Sequence, residues 1–243
     1  MKELYVIGIG PGARGAMTFD CYAAIERADV LVGYSKYIEL IRPFFPDKPT
    51  LNTPMKREVE RCRAALRLAS EGKRVAIVCS GDAGVYGMAG LVLELLPEYP
   101  KVRVEIVPGV TAALSGAAIL GAPLGHDFAV ISLSDLLTPW TLIEKRLRCA
   151  AEGDFCIALY NPGSAKRADY LKKACDILLS CKASETVCGI ARHIGRENES
   201  CTILPLAELR NASVDMFATV FIGSRETRER MGKMLTPRGY SLD

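Results

Sequence analysis

Three times in the first half of this chain, a β-rich apolar run stops at a cluster of glycines. Gly8-Ile9-Gly10-Pro11-Gly12-Ala13 closes the run 4–9, Ser80-Gly81-Asp82-Ala83-Gly84-Val85-Tyr86-Gly87 follows 74–79, and Pro108-Gly109-Val110-Thr111-Ala112-Ala113 follows 102–107. Glycine at a strand end lets the backbone approach a ligand and present its N–H and C=O groups. Ligands of open α/β sheets bind outside the carboxyl ends of the strands. Further runs at 30–32, 128–132, 155–160, 186–191, 202–204 and 219–222 predict more strands. Helical periods lie among them. Met55, Val59, Cys62, Leu66 and Ala69 recur every three or four residues, with Lys56, Arg57, Glu60, Arg61, Arg63 and Arg67 on the other face; Leu171, Cys175 and Leu178 repeat the pattern. Alternation of this kind predicts an α/β architecture with a largely parallel or mixed sheet.

The turn Gly121-Ala122-Pro123-Leu124-Gly125 divides the 243 residues into two α/β halves, 1–122 and 123–243. Late in the second half the runs 201–204 and 217–222 have little helix between them, which predicts a mixed or antiparallel sheet there. The net charge of +3 is too balanced for a dedicated nucleic-acid binder. No stretch approaches about 18 apolar residues, so no membrane span is expected, and no small-residue cleavage site follows the opening run. Nine cysteines, none in a C-x-x-C pair and several inside apolar runs, read as packing residues of a reduced, cytoplasmic protein. Neither their spacing nor the two histidines support a metal site.

The first glycine loop fits the dinucleotide fingerprint poorly. No acid ends the second run, which closes Val32-Gly33-Tyr34, and Pro11 removes an N–H where a pyrophosphate needs one. A tight structural turn is the competing reading. No G-x-x-x-x-G-K-[ST] phosphate loop occurs. In the second loop, Asp82 lies several residues early for capping the helix that follows, which favours acceptance of a ligand's hydroxyl or amino group. Thr111 in the third loop sits where an N-cap or a ligand-facing hydroxyl belongs.

In the second half, Ser134-Asp135 follows a strand and Thr138-Pro139 opens a helix that carries the single tryptophan, Trp140. Turn chemistry accounts for them as well as catalysis does. His126-Asp127 reads either as an acid–base pair or as a structural histidine beside a turn. No Ser–His–Asp order or H-x-x-x-H spacing supports hydrolysis or zinc.

Taken together, GIGPG, VGYSKYIELI, SGDAGVYGMAGLVLELL, VPGVTAA, GAPLGHDFAVISLSDLLTPWTLIEKRL, FCIALYNPGSAKR and LTPRGYSL, in that order, resemble the cobalamin-pathway methyltransferases that act at carbon 17 of precorrin-3B, with a lean towards the cobalt-dependent form. The resemblance runs from Leu4 to Leu242. It implies two α/β domains with a cofactor cleft between them, a homodimer, and S-adenosylmethionine as methyl donor, leaving S-adenosylhomocysteine. Carried onto this chain, it places Pro11, Gly81, Asp82, Val85, Thr111, Ala112, Tyr160, Asn161 and Ala191 at the cofactor, and makes the first loop, with Gly10 and Gly12, a wall of the tetrapyrrole channel. It also implies ring contraction with lactone closure, for which His126, Asp127, Ser134 and Asp135 are the candidate proton-transfer groups. A polycarboxylate tetrapyrrole calls for cations at the mouth of the site; Lys166, Arg167, Arg192 and Arg196 are the candidates, each equally readable as a solvated loop charge. Cobalt would arrive only within the substrate. A nicotinamide-dependent oxidoreductase and a non-catalytic tetrapyrrole carrier are the competing functions.

Overall fold

The computed structural model describes residues 2–164 and 168–241, in two compact units, Met1–Ala112 and Ala113–Asp243. The candidates Lys166 and Arg167 lie outside the described residues.

In the first unit, β1 (Glu3–Gly8), β2 (Val30–Tyr34), β3 (Thr50–Thr53), β4 (Arg74–Cys79) and β5 (Arg103–Val107) form a sheet in the order β3-β2-β4-β1-β5. Every pair is parallel, so all five carboxyl ends reach one edge. Alternate residues of a strand face opposite sides, and here both sides are covered. Leu4, Val6, Val75 and Ile77 pack with Cys62, Ala65 and Leu66 of α3 (Glu58–Ser70) and Val92 of α4 (Ala89–Leu95). Tyr5, Ile7, Ala76 and Val78 pack with Cys21 and Ile25 of α1 (Phe19–Arg27) and Ile38 of α2 (Ser35–Ile41). Each fully buried Leu or Ile contributes about 1.5–3 kcal/mol, and burial on both faces explains why these strands read as unbroken apolar runs.

The helical stripe expected from Met55 onwards needs correction. The helix begins at Glu58; Met55 precedes it, and both Met55 and Val59 are exposed. The buried face is Arg61, Cys62, Ala65, Leu66 and Ala69. Arg61 is therefore an interior residue, not one of the polar face. Its Nε donates to Thr53 Oγ1 at 2.7 Å, Nη2 to the Pro54 carbonyl at 3.0 Å, and Nη1 to Met88 Sδ at 3.8 Å, so it fastens the loops after β3 and β4 to the helix.

The second unit opens with α5 (Ala112–Leu120), then β6 (Gly121–Ala122), β7 (Phe128–Ser132), α6 (Trp140–Glu152), β8 (Cys156–Tyr160), α7 (Tyr170–Leu179), β9 (Val187–Arg192), β10 (Ser200–Pro205), α8 (Leu206–Leu209) and β11 (Ala218–Ile222). The sheet order is β10-β9-β11-β8-β7. β7 and β8 are parallel, whereas β11 runs against both β8 and β9, and β10 runs against β9. That is the mixed sheet the late strand signals predict. Val220 and Ile222 face the core made with α6 and α7. Phe221, one residue out of phase, faces α5: a methyl added at Gly116 would lie 2.9 Å from its ring.

This contact explains where the units divide. The break falls at Ala112/Ala113, ahead of the turn 121–125, because α5 packs its small residues on the second sheet: Leu120 presses on Gly189 as Phe221 does on Gly116. A further small sheet, β12 (Arg228–Arg230) and β13 (Lys233–Leu235) with β6, carries no apolar alternation and was not expected from the sequence. Its hairpin turns at Met231 and Gly232, with φ of 53° and 71°, the positive values a two-residue hairpin turn requires. Thr236 ties it down, its hydroxyl donating to the Pro123 carbonyl at 2.6 Å.

Candidate active site

The three glycine loops meet at the carboxyl edge of the first sheet. Gly10 and Gly81, with φ of 67° and 70°, exchange two backbone hydrogen bonds: Gly10 N–H to Gly81 O at 3.0 Å and Gly81 N–H to Gly10 O at 2.7 Å. The third loop closes on the same point. A Cβ on Gly109 would lie 2.2 Å from Gly81 O and 2.5 Å from Gly8 O, so no residue with a side chain fits there. Thr111 follows at once, its Cα 3.6 Å from where a Cβ on Gly81 would stand. Gly10, Pro11 and Gly12 are buried, and the N–H of Gly10 is already engaged. The first loop is thus built as a packed wall and not as an anion cradle.

Asp82 holds this assembly together. Its Oδ1 accepts from Gly84 N–H at 2.8 Å and Val85 N–H at 3.2 Å, and its Oδ2 accepts from Gly109 N–H at 2.9 Å. Both carboxylate oxygens thus serve the backbone. It latches the second loop to the third and fixes the direction of Val85. Each such bond to a charged acceptor contributes about 1.5–3 kcal/mol.

In the second unit, β7, β8 and β9 end at one edge, because β8 and β9 both run against β11. Tyr160 closes β8, and its phenol oxygen accepts Ala113 N–H at 2.6 Å, taking one of the free amides at the start of α5. Tyr160 therefore positions the helix that begins at Ala112. Asn161, with φ of 53°, donates from Nδ2 to Ser132 Oγ at 2.9 Å, and Ser132 Oγ also accepts from Ser134 N–H. Asp135 accepts from the Tyr170 hydroxyl at 2.5 Å. Tyr170 in turn packs at a tilt against Trp140, centroids 4.9 Å apart at 59°, with Lys173 over both rings. Ala191 is buried in β9, and Arg192 ends the strand, donating to Thr202 Oγ1 and to Ser213 O.

His126 and Asp127 do not join this group. They precede β7, whereas Ser134 and Asp135 follow it; a strand about 17 Å long, five residues at about 3.3 Å each, lies between the pairs. The Asp127 carbonyl accepts from Cys156 N–H, at the opposite end of β8 from Tyr160. The pair therefore stands at the opposite end of β7 from Ser134 and Asp135. The sequence reading passed over two residues that do reach the edge. Tyr170 was invisible because 35 residues separate it from Asp135. His193 was legible in principle, lying two residues past a predicted strand end.

Among the described residues, no three His, Cys, Asp or Glu side chains gather into a group able to hold a metal ion. No helix is long and apolar enough to cross a membrane. The edges are built from backbone walls, hydroxyls and cations.

A family model for tetrapyrrole (corrin/porphyrin) methylases matches residues 3–210. The chain is 47% identical over 240 residues to a probable cobalt-factor III C(17)-methyltransferase of Salmonella typhimurium, covering 98% of this chain and 100% of that one. It is 41% identical to a precorrin-3B C(17)-methyltransferase of Sinorhizobium sp, covering 98% and 97% of the two. The crystal structure of the methyltransferase CobJ matches with a TM-score of 0.89 at 37% identity, covering 96% of this chain and 99% of that one.

Proposed function

Because this chain belongs to the tetrapyrrole (corrin/porphyrin) methylase family, we propose that it methylates carbon 17 of a cobalt-bearing precorrin-3B-type macrocycle in corrin-ring biosynthesis, using S-adenosylmethionine. The observation that carries this reading is the 47% identity to the Salmonella relative over 98% of this chain and 100% of that one. The site chemistry supports it. S-adenosylmethionine, when bound, supplies a methyl group already activated on a sulfonium, so the chain needs no nucleophile, metal or covalent intermediate.

The residues divide the remaining work. Gly81, Val85, Thr111 and Ala112, latched by Asp82, offer backbone groups and small side chains to the cofactor, with Pro11 behind them; Tyr160, Asn161 and Ala191 are the further cofactor residues the resemblance implies. Their task is alignment of the attacking carbon with the carbon–sulfur bond, which contributes about 7–11 kcal/mol when the geometry is held. Carbon 17 forms the new bond with its own electron pair, and the pair of the broken carbon–sulfur bond stays on sulfur, leaving S-adenosylhomocysteine. Ser134 and Asp135, the latter oriented by Tyr170, are the proton-handling groups for ring contraction and lactone closure. Leu136 and Leu137 stand exposed beside them and suit the face of a macrocycle. Arg192 and Arg196 receive its carboxylates. Nine free cysteines and the resemblance support a cytoplasmic homodimer.

The test is incubation with deuterium-methyl-labelled S-adenosylmethionine and either cobalt-factor III or metal-free precorrin-3B, followed by mass spectrometry. One labelled methyl on the cobalt substrate is expected. Transfer to the metal-free substrate alone would move the chain to the oxygen-dependent route, and transfer to neither would remove the assignment.

A further inference from the structure

We propose that Tyr34 is a tetrapyrrole-recognition residue whose ring takes one face of the macrocycle, with Tyr37 setting the direction of that ring. The inference rests on the methyltransferase reading and deepens it, giving the segment 32–41 a part in substrate binding. β2 ends Val32-Gly33-Tyr34, and α2 follows without a loop. A Cβ on Gly33 would lie 2.8 Å from Val78 Cγ2 and 3.0 Å from Ile38 Cδ1, so glycine there lets β4 and α2 close in on the strand end. Ile38 and Ile41 anchor α2 in the core. The two tyrosines stay half-buried, their rings 5.2 Å apart at 86°, the edge-to-face arrangement that aromatic pairs favour. Among the described residues, nothing hydrogen-bonds the Tyr34 hydroxyl.

The pair stands at the carboxyl edge where the glycine loops meet. Gly33 pairs with Val78 and Gly8 with Cys79, so Tyr34, Cys79 and Gly8 fall on one line across β2, β4 and β1. Two strand spacings of about 4.8 Å put the Tyr34 backbone roughly 10 Å from Gly8. The loops after β4 and β5 close on each other over β1, where a Cβ on Gly109 would strike both Gly81 O and Gly8 O. Tyr34 lies on the other side of β4 from that closure, away from the wall assigned to the cofactor. α2 reaches the first loop instead: a Cβ on Gly12 would meet both methyls of Leu40 at 3.3 Å. An aromatic ring beside the loop that walls the tetrapyrrole channel matches a conjugated macrocycle, which presents a broad π face. The phenol hydroxyl is free to donate to one of the macrocycle's carboxylates.

The probe is uroporphyrin, a tetrapyrrole polycarboxylate followed by its absorption band, with S-adenosylhomocysteine binding measured in parallel. Tyr34→Leu should weaken uroporphyrin about tenfold and abolish the band shift that stacking on a phenol ring produces. Tyr34→Phe keeps the ring, so it should lose about threefold and retain the shift. Tyr37→Leu, which removes the support of that ring, should fall between the two. Tyr99→Leu changes a half-buried tyrosine ahead of β5, at the other edge of the sheet, and should bind uroporphyrin as the wild type does. S-adenosylhomocysteine should bind all four variants with wild-type affinity. Wild-type uroporphyrin affinity in Tyr34→Leu, an equal loss in Tyr34→Phe or Tyr99→Leu, or no uroporphyrin binding by the wild type would each overturn the inference. So would weakened S-adenosylhomocysteine binding in Tyr34→Leu with uroporphyrin binding intact, which would hand the ring to the cofactor. In each of these cases, S-adenosylhomocysteine binding by the wild type would leave the methyltransferase reading standing; its absence would count against both.

Discussion

The two units solve the same problem with different materials. The first gathers five parallel strand ends and finishes them with glycine, so its edge is backbone pressed on backbone, with Asp82 bonded to three amides. The second mixes strand directions, and its edge carries side chains: Tyr160 on the Ala113 amide, Asn161 on Ser132, Asp135 on Tyr170, and the cations of the loop after β9. A wall of amides can hold a cofactor without disturbing it, whereas steering protons and carboxylates needs groups that titrate or carry charge. The first unit therefore offers a bound molecule mainly backbone groups, and the second mainly side chains.

Substitutions can break that division, beginning with the largest expected effect. Gly109→Val forces a side chain into Gly81 O and Gly8 O. Thermal unfolding should show a loss of about 3 kcal/mol, and S-adenosylhomocysteine binding should vanish; wild-type binding would end the backbone account. Asp135→Ala should cut turnover about 100-fold with an unchanged dissociation constant for S-adenosylhomocysteine, and full activity would reduce the segment after β7 to scaffolding. Asp82→Ala leaves three amides without their acceptor. Calorimetry and denaturant melts should register about tenfold weaker cofactor binding together with about 1–3 kcal/mol of lost stability. A change in binding with no change in stability would mean that Asp82 touches the ligand. Tyr160→Phe removes a helix-start acceptor and should cost about 1 kcal/mol in unfolding free energy.

The smallest effect concerns the thiols. Burial pushes Cys21 and Cys79 up to about 11 and Cys62 and Cys175 up to about 12, so they remain protonated at neutral pH. A thiol titration of the native protein should therefore count Cys149, Cys181 and Cys201, the three exposed ones, and reach nine only after unfolding.

The parallel unit was legible because its strands are buried on both faces and end in glycine, two signals that survive in one dimension. Thr50–Thr53 was missed because an edge strand of mixed polarity resembles a loop. Arg61 was placed on the polar face because periodicity reads arginine as solvated, and nothing local announces acceptors eight and seven residues away. Asp82 was singled out for the right reason, its early position, but its partner Gly109 is 27 residues on. His126-Asp127 stood out because the residues are adjacent; the direction of β7 carries them to the edge opposite Ser134 and Asp135. Motifs that end strands were legible, and contacts across the sheet were not.

Calorimetric titration with S-adenosylhomocysteine, with NAD as the control, tests the central claim most directly. The backbone-walled site predicts saturable binding of S-adenosylhomocysteine and no heat from NAD. Binding of NAD alone would contradict it, because the first loop would then be a dinucleotide turn and not a wall.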